Sequence, residues 1–169
     1  MNPSCMIDGP SQFDFYSGGG LDIAFLGFGE IDAVGNVNVS KLGGNTVGPG
    51  GFIDIAQNAR KVVFCGTFDT GGARTEVGSG VMRVTEHGRI SKLVDKVDQI
   101  TFSGPQSLLQ GQKVIYITER AVFELRENGL HIIEIAPGID LQTDLLDRMG
   151  FVPNMNSPLS EMDSNYFKR

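Results

Sequence analysis

Apolar positions along the chain fall into short runs broken by glycine. Residues 21–28, Leu21-Asp22-Ile23-Ala24-Phe25-Leu26-Gly27-Phe28, are almost continuously apolar. That predicts a strand buried on both faces, as in wound α/β sheets. Asp32-Ala33-Val34-Gly35 reads as a turn, and the alternation in Asn36-Val37-Asn38-Val39-Ser40 predicts a hairpin arm pairing back. Residues 42–51 hold too much glycine for a helix or strand interior. Phe52, Ile55, Ala56 and Ala59 then share one helical face, which predicts a short helix over 52–59. Lys61-Val62-Val63-Phe64-Cys65 is the next buried strand. Loop, helix and strand in that order make half of a wound α/β unit.

The middle of the chain is more polar. Thr75-Glu76-Val77, Gly78-Ser79-Gly80 and Val81-Met82-Arg83-Val84 read as a hairpin, residues 89–94 as an edge strand, and 99–102 as a short strand. Gly104-Pro105 punctuates the pattern, and 106–110 suit one helical turn. Residues 113–118 are a strand. Two further strands, 121–125 and 130–135, flank Asn128-Gly129, a strong hairpin-turn pair. Leu141, Leu145 and Met149, four apart, predict an amphipathic helix. Residues 151–169 are polar, contain Pro153 and Pro158, and read as a surface-lying tail.

At 169 residues and 40% hydrophobic content the chain suits a single globular domain that buries about 70% of its unfolded surface. No apolar run reaches the roughly 18 residues of a membrane span, and Met1-Asn2-Pro3-Ser4-Cys5 lacks secretory-signal features. The expectation is a cytoplasmic protein with no membrane partner. Cys5 and Cys65 match no disulfide or metal framework, and Cys65, in an apolar run, is expected as a buried thiol. A net charge of −6 argues against a nucleic-acid partner. Residues 1–59 hold one basic residue, Lys41, against six acidic ones, so an anionic ligand there needs backbone N–H donors.

Such donors are at hand in Gly48-Pro49-Gly50-Gly51 before Phe52. Where no side chain intervenes, amides approach a ligand closely, and a following helix adds free N–H groups. The loop therefore suits a phosphate, a pyrophosphate or a developing oxyanion, although a tight turn needing positive φ accounts for the same glycines. It is neither a Walker loop nor a dinucleotide fingerprint. Glu30, at a strand end, is a candidate acid or simply the first polar residue there. Glu119 and Arg120 suit a structural ion pair, His87 an exposed turn and His131 a partly exposed strand position. No Ser-His-Asp order, nucleophile elbow or metal-ligand cluster emerges.

In order along the chain, Phe13-Asp14-Phe15-Tyr16-Ser17-Gly18-Gly19-Gly20-Leu21-Asp22-Ile23-Ala24-Phe25-Leu26-Gly27, Gly35-Asn36-Val37-Asn38-Val39-Ser40 and Gly48-Pro49-Gly50-Gly51-Phe52-Ile53-Asp54-Ile55 form a pattern. Ile117-Thr118-Glu119-Arg120-Ala121-Val122-Phe123 and Glu134-Ile135-Ala136-Pro137-Gly138-Ile139-Asp140-Leu141 continue it. Together these resemble the second half of family I coenzyme A transferases, of the acetate/propionate or short-chain acyl-CoA:acetate type. The resemblance spans nearly the whole chain, weakening in 74–96 and in the tail.

It implies a three-layer α/β domain with a central, largely parallel sheet and an antiparallel β-hairpin excursion, 1–169 forming one C-terminal (beta-type) domain. It implies transfer of CoA between carboxylic acids by ping-pong chemistry. A glutamate attacks the acyl-CoA, a mixed anhydride forms and becomes a glutamyl-CoA thioester, and the incoming acid reverses the steps. Coenzyme A enters as substrate, and no permanently bound cofactor is implied. The partners are acyl-CoA, a short-chain carboxylate, the N-terminal half or a partner subunit, and further copies in a homo-oligomer. The family's nucleophilic glutamate lies upstream of the Phe13 motif, where residues 1–12 offer none. Glu127-Asn128-Gly129 imitates a catalytic triplet but occupies the hairpin turn. Backbone groups of Gly48, Gly50 and Gly51 are the expected CoA or oxyanion contacts, with Asn45 and Phe52 shaping the pocket. The rival readings are a non-catalytic partner subunit and a CoA-binding module.

Overall fold

The computed structural model describes residues 2–168. A helix α1 (Gly9–Ser17) leads to β1 (Ala24–Leu26), then to three short strands and a fourth: β2 (Glu30–Ile31), β3 (Val37–Asn38), β4 (Lys41–Leu42) and β5 (Asn45–Thr46). Helix α2 (Phe52–Gln57) and β6 (Lys61–Cys65) follow. The excursion comprises β7 (Asp69–Thr70), β8 (Arg74–Gly78), β9 (Val81–Glu86) and β10 (Ile90–Ser91). Helix α3 (Gly104–Leu109), β11 (Lys113–Ile117), β12 (Ala121–Arg126), β13 (Gly129–Ile135) and β14 (Asn154–Glu161) complete the chain.

Six strands build the central sheet, in the order β1-β6-β11-β12-β13-β14. The β1–β6, β6–β11 and β13–β14 pairs are parallel, and the two hairpin pairs β11–β12 and β12–β13 are antiparallel. The expected mixed α/β architecture with a largely parallel sheet and antiparallel hairpins is therefore present. The Asn128-Gly129 turn joins β12 to β13, pairing Arg126 with Gly129 and Leu125 with Leu130. The 75–84 hairpin forms as β8–β9.

Because β1, β6 and β11 succeed one another in the same direction across the sheet, right-handed crossovers carry α2 and α3 over the same face. That face holds the core. Val62 and Phe64 of β6, Val114 and Tyr116 of β11, and Phe123 of β12 are all buried. Phe64 sits between Phe52 of α2 at 5.7 Å and Tyr116 at 5.3 Å, with the Phe102 ring edge-on at 5.1 Å. Alternation sends Phe25 to the opposite side, where it is 66% exposed. Burial of β1 on both faces, as its continuous apolar run suggested, is thus not observed: no crossover helix reaches the second face. A smaller cluster of Met82, Ala136, Met162 and Phe167 ties the β8–β9 hairpin and the C-terminal turn to Val122.

Other expectations need correction. The surface tail expected over 151–169 is not what the described residues form: β14 pairs alongside β13 as the edge strand, and Pro153, Met162 and Phe167 are buried. Tail polarity fits an edge strand with one face in solvent. Leu141, Leu145 and Met149 do not make an amphipathic α-helix. A wide π turn over Leu141–Leu145 runs into a 3-10 turn over Leu146–Arg148, and Leu145 alone is fully buried there. Residues 99–102 contribute only a single bridge between Phe102 and Val37. Cys65 is exposed rather than buried: it is the last residue of β6, on the face opposite the core, beyond the buried Val63. Desolvation still pushes its thiol above the ordinary value, which disfavours a nucleophilic thiolate. Among the described residues no helix is long and apolar enough to cross a membrane.

Candidate functional site

Ligands of parallel α/β sheets gather at the carboxyl ends of the strands. Here β1 ends in Gly27-Phe28-Gly29-Glu30, β6 in Gly66-Thr67-Phe68, and β11 in Thr118-Glu119-Arg120. A cavity of about 340 Å³ opens at this edge, lined in part by Gly29, Glu30, Leu42, Thr67 and Lys92. The Lys92 ammonium stands 4.0 Å above the Phe28 ring. A Cβ on Gly66 would come within 2.8 Å of Phe28 Cε1 and 3.0 Å of Lys92 Nζ, so glycine admits this close packing. Desolvation lowers the Lys92 pKa below the lysine norm, while the charge of Glu119 acts in the opposite sense.

Glu119 is held at both oxygens. Oε2 accepts from the Phe68 amide at 2.8 Å, and Oε1 lies 3.2 Å from Arg120 Nε, the ion pair expected from the sequence. Thr118 sets up this corner: its Oγ1 donates to the Ala121 carbonyl and accepts from the Arg120 and Ala121 amides. The Arg120 guanidinium is fully buried, 2.8 Å from Asp69 Oδ1 and 4.7 Å above the Phe68 ring. Its Nη1 donates to the Asp144 carbonyl at 3.1 Å and meets His87 Nδ1 at 3.3 Å. Arginine only donates, so His87 Nδ1 is the acceptor and Nε2 carries the proton toward Asp144 Oδ1, 3.4 Å away. His87, expected in an exposed turn, is therefore drawn into a partly buried cluster. That cluster forms from residues far apart in sequence.

Glu30 is also committed. Its Oε2 accepts from Asn38 Nδ2 at 2.7 Å and from the Asp98 amide at 3.0 Å, pinning the β2–β3 hairpin to the segment between β10 and α3. His131, expected partly exposed, is 9% exposed on β13, with Nε2 2.6 Å from Asn128 Oδ1. Burial foremost, then the Arg126 charge, holds its pKa below the histidine norm, with Glu124 opposing. Among the described residues no group of three or more His, Cys, Asp and Glu gathers as a metal site.

The glycine loop enters α2 at the same end of the sheet, since α2 runs back to the start of β6. Gly48 and Gly50 adopt φ of +87° and +54° with open space where a Cβ would project. The Gly48 amide donates to Ser40 O at 3.0 Å and so is committed to the fold. The Gly50 and Gly51 amides make no hydrogen bond among the described residues. Gly51 has φ −86°, and a Cβ there would lie 2.6 Å from the Phe13 ring of α1. Phe52 is buried on Phe64, anchoring the loop to the core. Asn45 is exposed on β5, its Nδ2 3.4 Å from Gly43 O. The sequence pattern singled out the loop but passed over Gly66, Thr67 and Lys92. The glycine directly after a buried strand was the available signal for Gly66. Nothing local marked Lys92.

No protein-family profile matches the chain. Individual relatives do. The chain is 49% identical over 167 residues to the acetate CoA-transferase YdiF of Escherichia coli O157:H7, covering 99% of this chain and 32% of YdiF. The chain thus matches one part of that acetate CoA-transferase. The caffeate CoA-transferase of Acetobacterium woodii is 47% identical over 171 residues, again across 98% of this chain and 32% of the relative. The crystal structure of the YdiF apoenzyme superposes with a TM-score of 0.95 over 99% of this chain. YdiF has also been solved as a thioester complex with CoA. Glutaconate CoA-transferase of Acidaminococcus fermentans, at 18% identity and a TM-score of 0.69 over 95% of this chain and 62% of that one, shares the fold. The chain thus spans about a third of the length of the curated relatives it matches.

Proposed function

We propose that the chain is part of an enzyme that moves coenzyme A between a short-chain acyl-CoA and a carboxylic acid such as acetate, through a glutamyl-CoA thioester. The observation that carries this reading is the near-complete superposition on YdiF, a protein seen in thioester linkage with CoA. The site agrees with it. The two glutamates at the strand ends, Glu30 and Glu119, are each tied to backbone amides and side chains. Glu119 is held at both oxygens and Glu30 at Oε2, which disfavours either as the nucleophile; on this reading the nucleophilic glutamate belongs to the part of the enzyme that this chain does not match.

The chain's own contribution is to bind and to orient. The free amides of Gly50 and Gly51 face the developing oxyanion when the glutamate attacks, where one well-placed donor is worth about 3–4 kcal/mol. Gly48 shapes the loop through its committed amide, and Phe52 anchors it; Asn45 stands at the loop's approach. Coenzyme A is a substrate, bound and released in each half-reaction, and the remaining two-thirds of the enzyme is the required partner.

The test is complementation. The chain is co-expressed with the two-thirds of YdiF that it does not match, and exchange of CoA between acetyl-CoA and propionate is followed. The matching third of YdiF serves as positive control. Exchange restored by this chain supports the reading. Exchange restored by the YdiF third alone, with both assemblies formed, rejects it.

A further inference from the structure

We propose that Lys92 is the cation that receives the carboxylate of the short-chain acid, with the alkyl portion of that acid lying against Leu42 and Ile90. The inference rests on the CoA-transferase reading and names the acid-binding subsite within it.

Lys92 is a half-buried ammonium with no ion-pair or hydrogen-bond partner among the described residues. Two other cations of the region are paired: Lys41 with Asp98, Arg120 with Asp69 and Glu119. The Phe28 ring and the more distant charge of Glu119 offset the desolvation of this cation only in part, because no carboxylate among the described residues contacts it. An anion entering the cavity supplies what is missing. The lining also selects the anion. Leu42 and Ile90 give apolar surface, and the hydroxyls of Thr67 and Thr70 make no side-chain hydrogen bond among the described residues. Glu30 on the same wall carries negative charge, which disfavours a dianionic phosphate but tolerates a monoanion paired to Lys92. At about 340 Å³ the space lies at the small end of ligand pockets, suited to a short acid rather than a nucleotide.

The position fits the chemistry. Lys92 stands at the carboxyl ends of β1 and β6, beside Gly66, at the edge of the sheet where the glycine loop also lies. An acid held there by one oxygen keeps its second oxygen free to attack the glutamyl-CoA thioester carbonyl, forming the C–O bond of a mixed anhydride as the C–S bond breaks and the CoA thiolate leaves. The acid's negative charge is neutralised in part without a proton being added to it.

Propionate binding to the chain is measured by NMR titration, alongside propionamide and inorganic phosphate. Lys92→Met is expected to weaken propionate at least tenfold, Lys92→Arg to stay within about threefold, and Lys96→Met at an exposed position to change nothing. Propionamide should bind weakly and be indifferent to Lys92. Thermal melts establish that each variant folds, with Lys92→Gln replacing the methionine variant if that one does not. Propionate bound equally by the Lys92→Met or Lys92→Gln chain, no binding by the wild type, or tighter binding of phosphate than of propionate overturns the proposal. In the complemented enzyme, Lys92→Met should raise KM for the acid with a smaller effect on kcat. Restored exchange with an unchanged KM removes this subsite and leaves the transferase reading. Lys92-dependent propionate binding without complementation does the reverse.

Discussion

Arg120 and Asp69 form an ion pair of 2.8 Å in which the two side chains are 0% and 3% exposed, yet they lie 51 residues apart on β12's approach and on β7. The pair joins the excursion to the central sheet at the edge where the site lies. Removing one partner of such a pair strands the other charge out of water, which costs about 3–5 kcal/mol. Arg120→Met should lower unfolding free energy by about that amount in urea titration. The double variant Arg120→Met with Asp69→Leu should recover part of the loss. A single-variant effect below about 1 kcal/mol would show that water reaches Asp69.

Tyr116 provides a second long-range tie. Its buried hydroxyl donates to the Gly35 carbonyl at 2.6 Å, and burial foremost, then the Asp32 charge, pushes its pKa well above the tyrosine norm. Tyr116→Phe leaves that carbonyl unpaired, at a cost of about 1–3 kcal/mol. The measurement is the same titration, and a neutral outcome would mean that Gly35 finds another donor.

In the glycine loop the Gly48 amide is committed to Ser40, whereas the Gly50 and Gly51 amides have no partner among the described residues. Gly48→Ala and Gly50→Ala each force a positive φ on alanine, and each should lose about 1–2 kcal/mol of stability. Only Gly50 adjoins amides free of protein partners, so only Gly50→Ala should also lower turnover in the complemented enzyme, by tenfold or more. Equal losses of turnover for the two would make the loop purely structural.

Acid stability has a visible source in Asp140. Its carboxylate accepts from the Thr143 and Gln142 amides and the Thr143 hydroxyl, hydrogen bonds that hold its pKa below 3.8. A folded pKa below the unfolded one gives a contribution that is complete above 3.8 and is lost as pH falls through the lower, folded value. Asp140→Asn should flatten the stability–pH curve in that acid range and leave its slope near neutrality unchanged. A mutant curve parallel to wild type down to pH 2 would assign the acid sensitivity elsewhere.

The chain by itself should transfer no CoA between acetyl-CoA and propionate, because Glu119 is bound at both oxygens and Glu30 is held by Asn38 and the Asp98 amide at Oε2. Turnover by the purified chain, abolished by Glu30→Gln, would identify Glu30 as the nucleophile and displace the two-part reading.

What the sequence determined by itself was local. Alternation and turn chemistry located β12 and β13 about Asn128-Gly129 and the β8–β9 hairpin, because two-residue periodicity and turn residues act over a few positions. The glycine loop and the Glu119–Arg120 pair were legible for the same reason. Tertiary structure decided everything that depends on which surfaces meet. The run at Phe25 looked buried because its composition is apolar, but the direction in which β1, β6 and β11 succeed one another left that side without a helix. The polar stretch after residue 151 looked like a tail, and an open edge beside β13 made it a strand. Lys92 carried no local signal at all. Its role comes from Phe28 and Gly66, which meet it only when strands distant in sequence end side by side.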